Sequence, residues 1–269
     1  VNPINNNNMK FKAIYENLLN LYTEGVYDPH IFKVIFMTGP MGAGKSTIAQ
    51  KLIGGTGLRS LNLDNFNELM IKKGQVPDGK LTGDQLQNSW EKVQKQKVNF
   101  LDGRLGLLVD GSGRNVEDIK ENLQNLLNMG YDAACIMVNV PDVEETITRA
   151  QRRAAEQKEK YGVGRNIPQD FQRTTHEQIQ KNIPTLQKIF QNNFFYIDTT
   201  KKDAELEKGD RKLKNWNRQL GPIDNSSNPI NSKLQAIKIQ INKFMSAPPS
   251  NPAALQWIAQ QKQQRNTLV

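Results

Sequence analysis

The chain has 269 residues, a formal charge of +9 and 37% hydrophobic residues, enough for one α/β domain with an extension or for two small domains. Its apolar runs fall well short of the ~20 residues a membrane helix needs, so no membrane partner is expected. A single cysteine, Cys135, excludes an internal disulfide and a cysteine-built metal cluster, and with only His30 and His176 a histidine metal site or triad is a poor fit.

The opening VNPINNNNMK has no apolar stretch behind a basic one, so residues 1–30 read as a polar leader and helix rather than a secretory signal. IFKVIFM (31–37) is a β-branched, aromatic run of strand length. GKSTIAQKLIGG then spaces Ile48, Leu52 and Ile53 at helical intervals and stops at Gly54-Gly55. LRSLNLD (58–64) predicts a second strand ending at Asp64, followed by a short helix through NFNELMIKK. Residues 84–101 predict a helix with Trp90, Val93, Phe100 and Leu101 on its packed face. LGLLVD (105–110) is a third strand, and VEDIKENLQNLLNMG a helix stopped by Gly130.

YDAACIMVNV predicts a fourth strand, with Cys135 as a small buried residue in a reducing, cytoplasmic setting. A helix from Val143 to Gln157 leads to the loop EKYGVGRNIP. The next helix turns Ile179, Ile183, Leu186, Ile189 and Phe190 inward, with a kink expected at Pro184. NFFYID (193–198) completes five strands separated by helices, the pattern of a parallel sheet covered on both faces. After Thr200 the chain turns charged and then turn-rich. NSKLQAIKIQINKFM fits a helix through Leu234, Ile237, Ile241 and Phe244, although Ile237, Ile239 and Ile241 also alternate as in a strand; helix is preferred. AALQWIAQQKQQR predicts a terminal helix, and the apolar content of the extension suits docking on the body. From residue 201 onward there are 12 Lys/Arg against 5 Asp/Glu, so the basic excess lies mainly in the extension, as a surface for nucleic acid or simply a solvated face.

Between the first strand and the first helix stands GPMGAGKST, in which Gly39, Gly44, Lys45 and Ser46 meet the spacing G-x-x-x-x-G-K-[ST]. Glycines let the backbone wrap a phosphate, and the helix that starts there adds unpaired N–H groups and a positive dipole end. The loop Gly39, Met41, Gly42, Ala43, Gly44, Lys45, Ser46 and Thr47 is therefore the expected ATP cradle, with Lys45 on the outer phosphates and Ser46 on Mg²⁺. Asp110, at the end of the third strand in LLVDGSGRN, is the second expected Mg²⁺ contact; Ser112 and Arg114 in the same loop are expected to face the substrate crevice. Asp64, nineteen residues after Lys45, could accept the proton of an attacking hydroxyl or simply cap a helix. Arg149 and Arg153 share a helical face and, with Arg165 in the loop beyond, could close over transferring phosphate; Arg152 points elsewhere, and a plain charged helix is the alternative.

The set GPMGAGKST, NLD, VDGSGRN, TRAQRR and GVGRNIP resembles small P-loop kinases of the zeta-toxin and phage polynucleotide kinase type over roughly residues 31 to 199. The resemblance implies a general base at Asp64 and ATP-phosphate contacts from Arg149, Arg153 and Arg165. It also implies substrate contacts near Ser112 and Arg114, with Asp110 where the zeta-type signature has glutamate. An arginine often found three residues after the base is replaced here by Asn67.

The expectation is a five-stranded parallel P-loop kinase domain over 31–199 with a mostly helical, basic extension over 200–269, using ATP and Mg²⁺. The acceptor reading leans to a polynucleotide 5′-hydroxyl, with a zeta-toxin-like small molecule such as a nucleotide sugar as its rival. A nucleotide-gated binding protein acting through its extension is the reading from another class. Whether Asp64 or Asp110 is the base, and the oligomeric state, stay open.

Overall fold

Six consecutive buried residues, Lys33–Thr38, form β1 at the centre of the sheet. The computed structural model describes residues 30–76, 79–165, 167–200 and 229–268, so the leader up to residue 29 and the linkers over 201–228 lie outside the described residues. In chain order the elements are β1, α1 (Lys45–Ile53), β2 (Arg59–Leu61), α2 (Leu63–Lys72), α3 (Gly83–Asp102), β3 (Leu107–Asp110) and α4 (Val116–Asn128). There follow β4 (Asp132–Asn139), α5 (Val143–Tyr161), α6 (Gln169–Phe190), a 3₁₀ turn, β5 (Phe194–Asp198), α7 (Pro229–Ser246) and α8 (Pro252–Leu268). All four strand pairings are parallel, in the order β2-β3-β1-β4-β5. The chain leaves β1 between neighbours wound to opposite sides, which opens a crevice beyond its C-terminal end.

Alternation along β1 sends Val34 and Phe36 to one face and Ile35 and Met37 to the other. The first face packs with Leu107, Tyr131, Cys135, Leu186 and Phe190; the second with Ile48, Leu52, Ile53, Ile136 and Val138. Cys135 is fully buried, and burial pushes its thiol up to about 12 against the opposing bond from Thr38. A thiol reagent should therefore leave the native protein unlabelled and modify one cysteine on unfolding, as mass spectrometry would register.

Both faces also receive the extension. Ile241 and Met245 of α7 join the α1 side of the core, while Ala254 of α8 is buried on the other, with Trp257 edge-on to Phe32 at 5.4 Å. Lys33, only 2% exposed, donates to Asp132 Oδ2 at 2.8 Å beneath the ring of Phe244. Asp132 also accepts from the backbone and hydroxyl of Ser250. Burial alone would push its carboxyl up, but the bonds from Lys33 and Ser250 outweigh it and hold the group below its ordinary value. These contacts lie at the N-terminal ends of β1 and β4, the end of the sheet opposite the glycine loop. The described part of the extension thus packs along α1 and grips the N-terminal ends of β1 and β4.

Three boundaries differ from the sequence reading. β2 stops at Leu61 because the Asn62 side chain accepts from Asp64 N at 2.7 Å and starts α2. Asp64 therefore sits in the first turn of a helix, neither ending a strand nor serving as the cap. β3 begins at Leu107, since Leu105 N still donates to Phe100 O and finishes α3. α5 runs on to Tyr161, where Gly162 in the left-handed region ends it, and α6 continues through Pro184 as one helix.

Candidate functional site

At the end of β1 the loop 39–44 needs its glycines. A Cβ on Gly39 would fall 1.9 Å from Val138 O, and one on Gly42 2.4 Å from Thr146 O; both residues have positive φ. The N-terminus of α1 carries no side-chain cap and no acid in its first turn, so its amide groups and dipole end are left to an anion. Met41, Gly42, Gly44, Lys45, Ser46 and Thr47 line a crevice of about 1070 Å³. Gly39 and Ala43 do not. Gly39 N–H donates to Ser112 O at 3.0 Å, and Ala43 is fully buried with its N–H toward Pro40 O. These two shape the cradle from behind rather than lining it.

Lys45 Nζ donates to the carbonyls of Gly39 (2.9 Å) and Pro40 (3.2 Å). Burial pushes its ammonium below the ordinary lysine range; Asp110 and Asp64 oppose that, and Arg153 and Arg165 add to it. Asp110 closes β3 beside it. Its Oδ2 accepts from Asn62 Nδ2 at 2.6 Å, whereas Oδ1 is buried without a hydrogen-bond partner. Burial pushes this carboxyl above the usual range, against the pull of Lys45. An orphaned carboxylate oxygen near the exposed first-turn hydroxyl of Ser46 suits a divalent cation. Among the described residues no three His, Cys, Asp or Glu side chains gather to hold a metal by themselves. A cation here would take its remaining oxygens from nucleotide phosphates and water.

Asp64 and, one helical turn on, Glu68 line the same crevice from α2. Across from them Arg165 Nη1 reaches Asp64 Oδ1 at 2.6 Å, and Arg153 Nη2 lies 3.8 Å from Glu68 Oε2. Both carboxylates are partly exposed, so each pair is worth little in stability and much in orientation. Arg165, for which the resemblance implied an ATP-phosphate contact, lines the crevice with its guanidinium against the candidate base. Arg149 lines the crevice but is tied down, donating to Glu145 Oε1 at 2.8 Å and to Thr199 Oγ1 at 3.2 Å. Thr199 Oγ1 in turn donates to Ala43 O at 2.8 Å, so Arg149 braces the cradle wall. Arg152, expected to point away, lines the crevice as well.

Ser112 and Arg114 were expected to face the substrate crevice. Neither lines the crevice: Ser112 Oγ accepts from Arg114 N, and the Arg114 guanidinium lies over the Phe171 ring at 5.4 Å. Gly113 between them takes a positive φ, and Ser112 O accepts from Gly39 N–H behind the cradle. Sequence reasoning missed Asn62 and Glu68, although the spacing Asp64-x-x-x-Glu68 already puts two carboxylates on one helical face. Asn67 is buried, and neither polar atom of its side chain finds a partner.

The loop after α5 lines the crevice through Gly162, Val163, Gly164 and Arg165. A Cβ on Gly79 would fall 2.0 Å from Gly164 O, and one on Gly164 2.0 Å from Ala154 O, so the loop after α2 and the loop after α5 touch backbone to backbone. Gln157 Oε1 accepts from Arg165 N at 3.2 Å and ties that loop to α5.

The family model described as Zeta toxin matches residues 27–206. An adenylate kinase of Clavibacter michiganensis subsp. michiganensis is 29% identical over 132 residues, covering 46% of this chain and 64% of the relative. The chain thus spans under two thirds of that curated relative. Among solved structures, the PezAT chromosomal toxin–antitoxin system of Streptococcus pneumoniae is similar at 18% identity, over 76% of this chain and 95% of that one, with a TM-score of 0.46. The AvrRxo1-ORF1:AvrRxo1-ORF2 structure with sulphate ions gives 13% identity, 93% and 88% coverage and a TM-score of 0.50. No helix among the described residues is long and apolar enough to cross a membrane.

Proposed function

The chain belongs to the zeta toxin family, and from that footing we propose that it is an ATP-dependent kinase that transfers the γ-phosphoryl group to a hydroxyl of a small soluble acceptor, such as a nucleotide sugar. The observation that carries this reading is that Lys45, Asp110 and Asp64 converge, from three different elements, on one crevice that the loop after α5 also lines.

In this reading the free amides at the start of α1 and the Lys45 ammonium hold the outer phosphates of ATP. Mg²⁺ carried by the nucleotide, with Ser46 and Asp110 as its protein contacts, would neutralise phosphate charge. Asp64 accepts the proton of the acceptor hydroxyl as its oxygen bonds to the γ-phosphorus. The bond from that phosphorus to the bridging oxygen breaks, and ADP leaves with the electron pair. Arg165 holds the Asp64 carboxylate in place, and Arg153 adds positive charge where equatorial oxygens gather charge.

The contact between Gly79 and Gly164 favours a compact acceptor over a continuous strand that must pass through. The second reading, a polynucleotide 5′-hydroxyl, rests on the basic extension. Its described helices contain five Lys/Arg and no acid, yet none of their residues is among those that line the crevice. A panel of UDP-sugars, nucleosides and 5′-hydroxyl DNA and RNA oligonucleotides, each offered with γ-labelled ATP and Mg²⁺, tests the choice. Label is expected on a small acceptor. Label on oligonucleotides alone would favour the second reading, and free phosphate alone would remove transfer.

A further inference from the structure

Asn62 holds two functional candidates with one amide. Its Oδ1 accepts from Asp64 N at 2.7 Å, which starts α2 and fixes where Asp64 stands. Its Nδ2 donates to Asp110 Oδ2 at 2.6 Å, across 48 residues of sequence. The orientation is not interchangeable. Turning the amide over would set its oxygen against a carboxylate and its NH₂ against a backbone N–H, losing both bonds. A helix cap needs only the oxygen, and serine, threonine or aspartate would serve equally well there. The NH₂ group therefore has a job of its own. It occupies Oδ2 of Asp110 and leaves Oδ1, buried and without a partner, as the oxygen presented beside Lys45 and Ser46.

We infer that Asn62 is a positioning residue for the nucleotide-borne divalent cation: by holding Oδ2, it sets Asp110 with Oδ1 toward the metal and couples that carboxylate to the base on α2. The inference rests on the reading of the crevice as a Mg²⁺–ATP site. Outer residues that orient a metal ligand typically affect metal affinity by about 10–100-fold, so the effect is measurable.

The test separates the cap from the donor. Asn62→Ser keeps an oxygen for Asp64 N but cannot reach Asp110, whereas Asn62→Ala removes both bonds. ATP affinity is measured by calorimetry on the full chain with Mg²⁺ and again in EDTA, together with the melting temperature. Wild type should bind ATP more tightly with Mg²⁺. Both variants should lose about tenfold of that enhancement while keeping their EDTA affinity to within about twofold. Only Asn62→Ala should also melt early, by the loss of the cap. Mn²⁺ bound with ATP should show a matching loss in its paramagnetic resonance signal in both variants. If Asn62→Ser retains the full Mg²⁺ enhancement, Asn62 is a helix cap and the inference fails. If ATP binding by wild type is indifferent to Mg²⁺, the metal reading beneath it fails instead, and this is visible without any variant.

Discussion

Replacing Lys45 with alanine is expected to lower phosphoryl transfer by about 10²–10³-fold with the fold intact, the size of effect seen when one aimed charge or donor is removed from a transition state. The residue is half-buried, and its ammonium is held by two loop carbonyls, Gly39 O at 2.9 Å and Pro40 O at 3.2 Å, rather than by a carboxylate. Those weak partners can yield to a phosphate. No helix or strand depends on the side chain, so the melting temperature should scarcely move. Lys45→Arg should rescue little, since a planar fork does not fit a site cut for a compact ammonium. The charge state adds a second signature. Burial pushes the ammonium below the ordinary lysine range, so the free enzyme loses this charge at a lower pH than an exposed lysine would. The alkaline limb of kcat/KM for ATP should accordingly begin below the ordinary lysine range. A Lys45→Ala protein with transfer within tenfold of wild type would contradict the assignment.

Ending the chain at Thr200 is expected to abolish cooperative folding. The sequence reading divides the chain into a domain over 31–199 and an extension, but the packing joins the two into one core. Ile241 and Met245 are buried against Ile48, Leu52 and Ile53, and Ala254 and Trp257 close over Phe32 and Tyr131. Each large side chain fully buried contributes about 1.5–3 kcal/mol. Ile241 and Met245, with the half-buried Trp257, Ile258, Ile237 and Phe244, therefore supply a large share of the ~5–15 kcal/mol typical of a domain. Truncation would also strip Ser250 from Asp132 and Phe244 from Lys33, exposing an ion pair built for burial. Thermal unfolding followed by circular dichroism should show no sharp transition for the truncated chain. A transition within a few degrees of wild type would mean that the extension is an accessory.

Contiguity decided what could be read from sequence. The cradle was legible because strand, glycine spacing, lysine and helix follow one another within fifteen residues, and each part has a local reason. The five strands and their order of appearance were legible from apolar runs broken by helical periods. The helix over 231–245 also follows from its pattern: Ile241 is buried while Ile239 is 60% exposed, which strand alternation would not allow. Features made by distant residues were not legible. Asn62 meets Asp110 across 48 residues, Arg165 meets Asp64 across 101, and Gly79 touches Gly164 by backbone alone. Ser112 and Arg114 follow Asp110 closely in sequence, but the Arg114 guanidinium lies over Phe171 and neither residue is among those that line the crevice. Asp64 was placed on the wrong element: it stands in the first turn of α2, since the cap belongs to the asparagine two residues earlier.

The most direct test of the central claim compares wild type with Asp64→Asn, using γ-labelled ATP, Mg²⁺ and the acceptor found in the panel. Asparagine keeps the size of the side chain but cannot take a proton. The account predicts ATP affinity close to wild type and transfer to the acceptor lowered by about 10²–10⁴-fold, the usual contribution of a general base. Transfer at the wild-type rate in Asp64→Asn would contradict it and move the proton-accepting role away from α2.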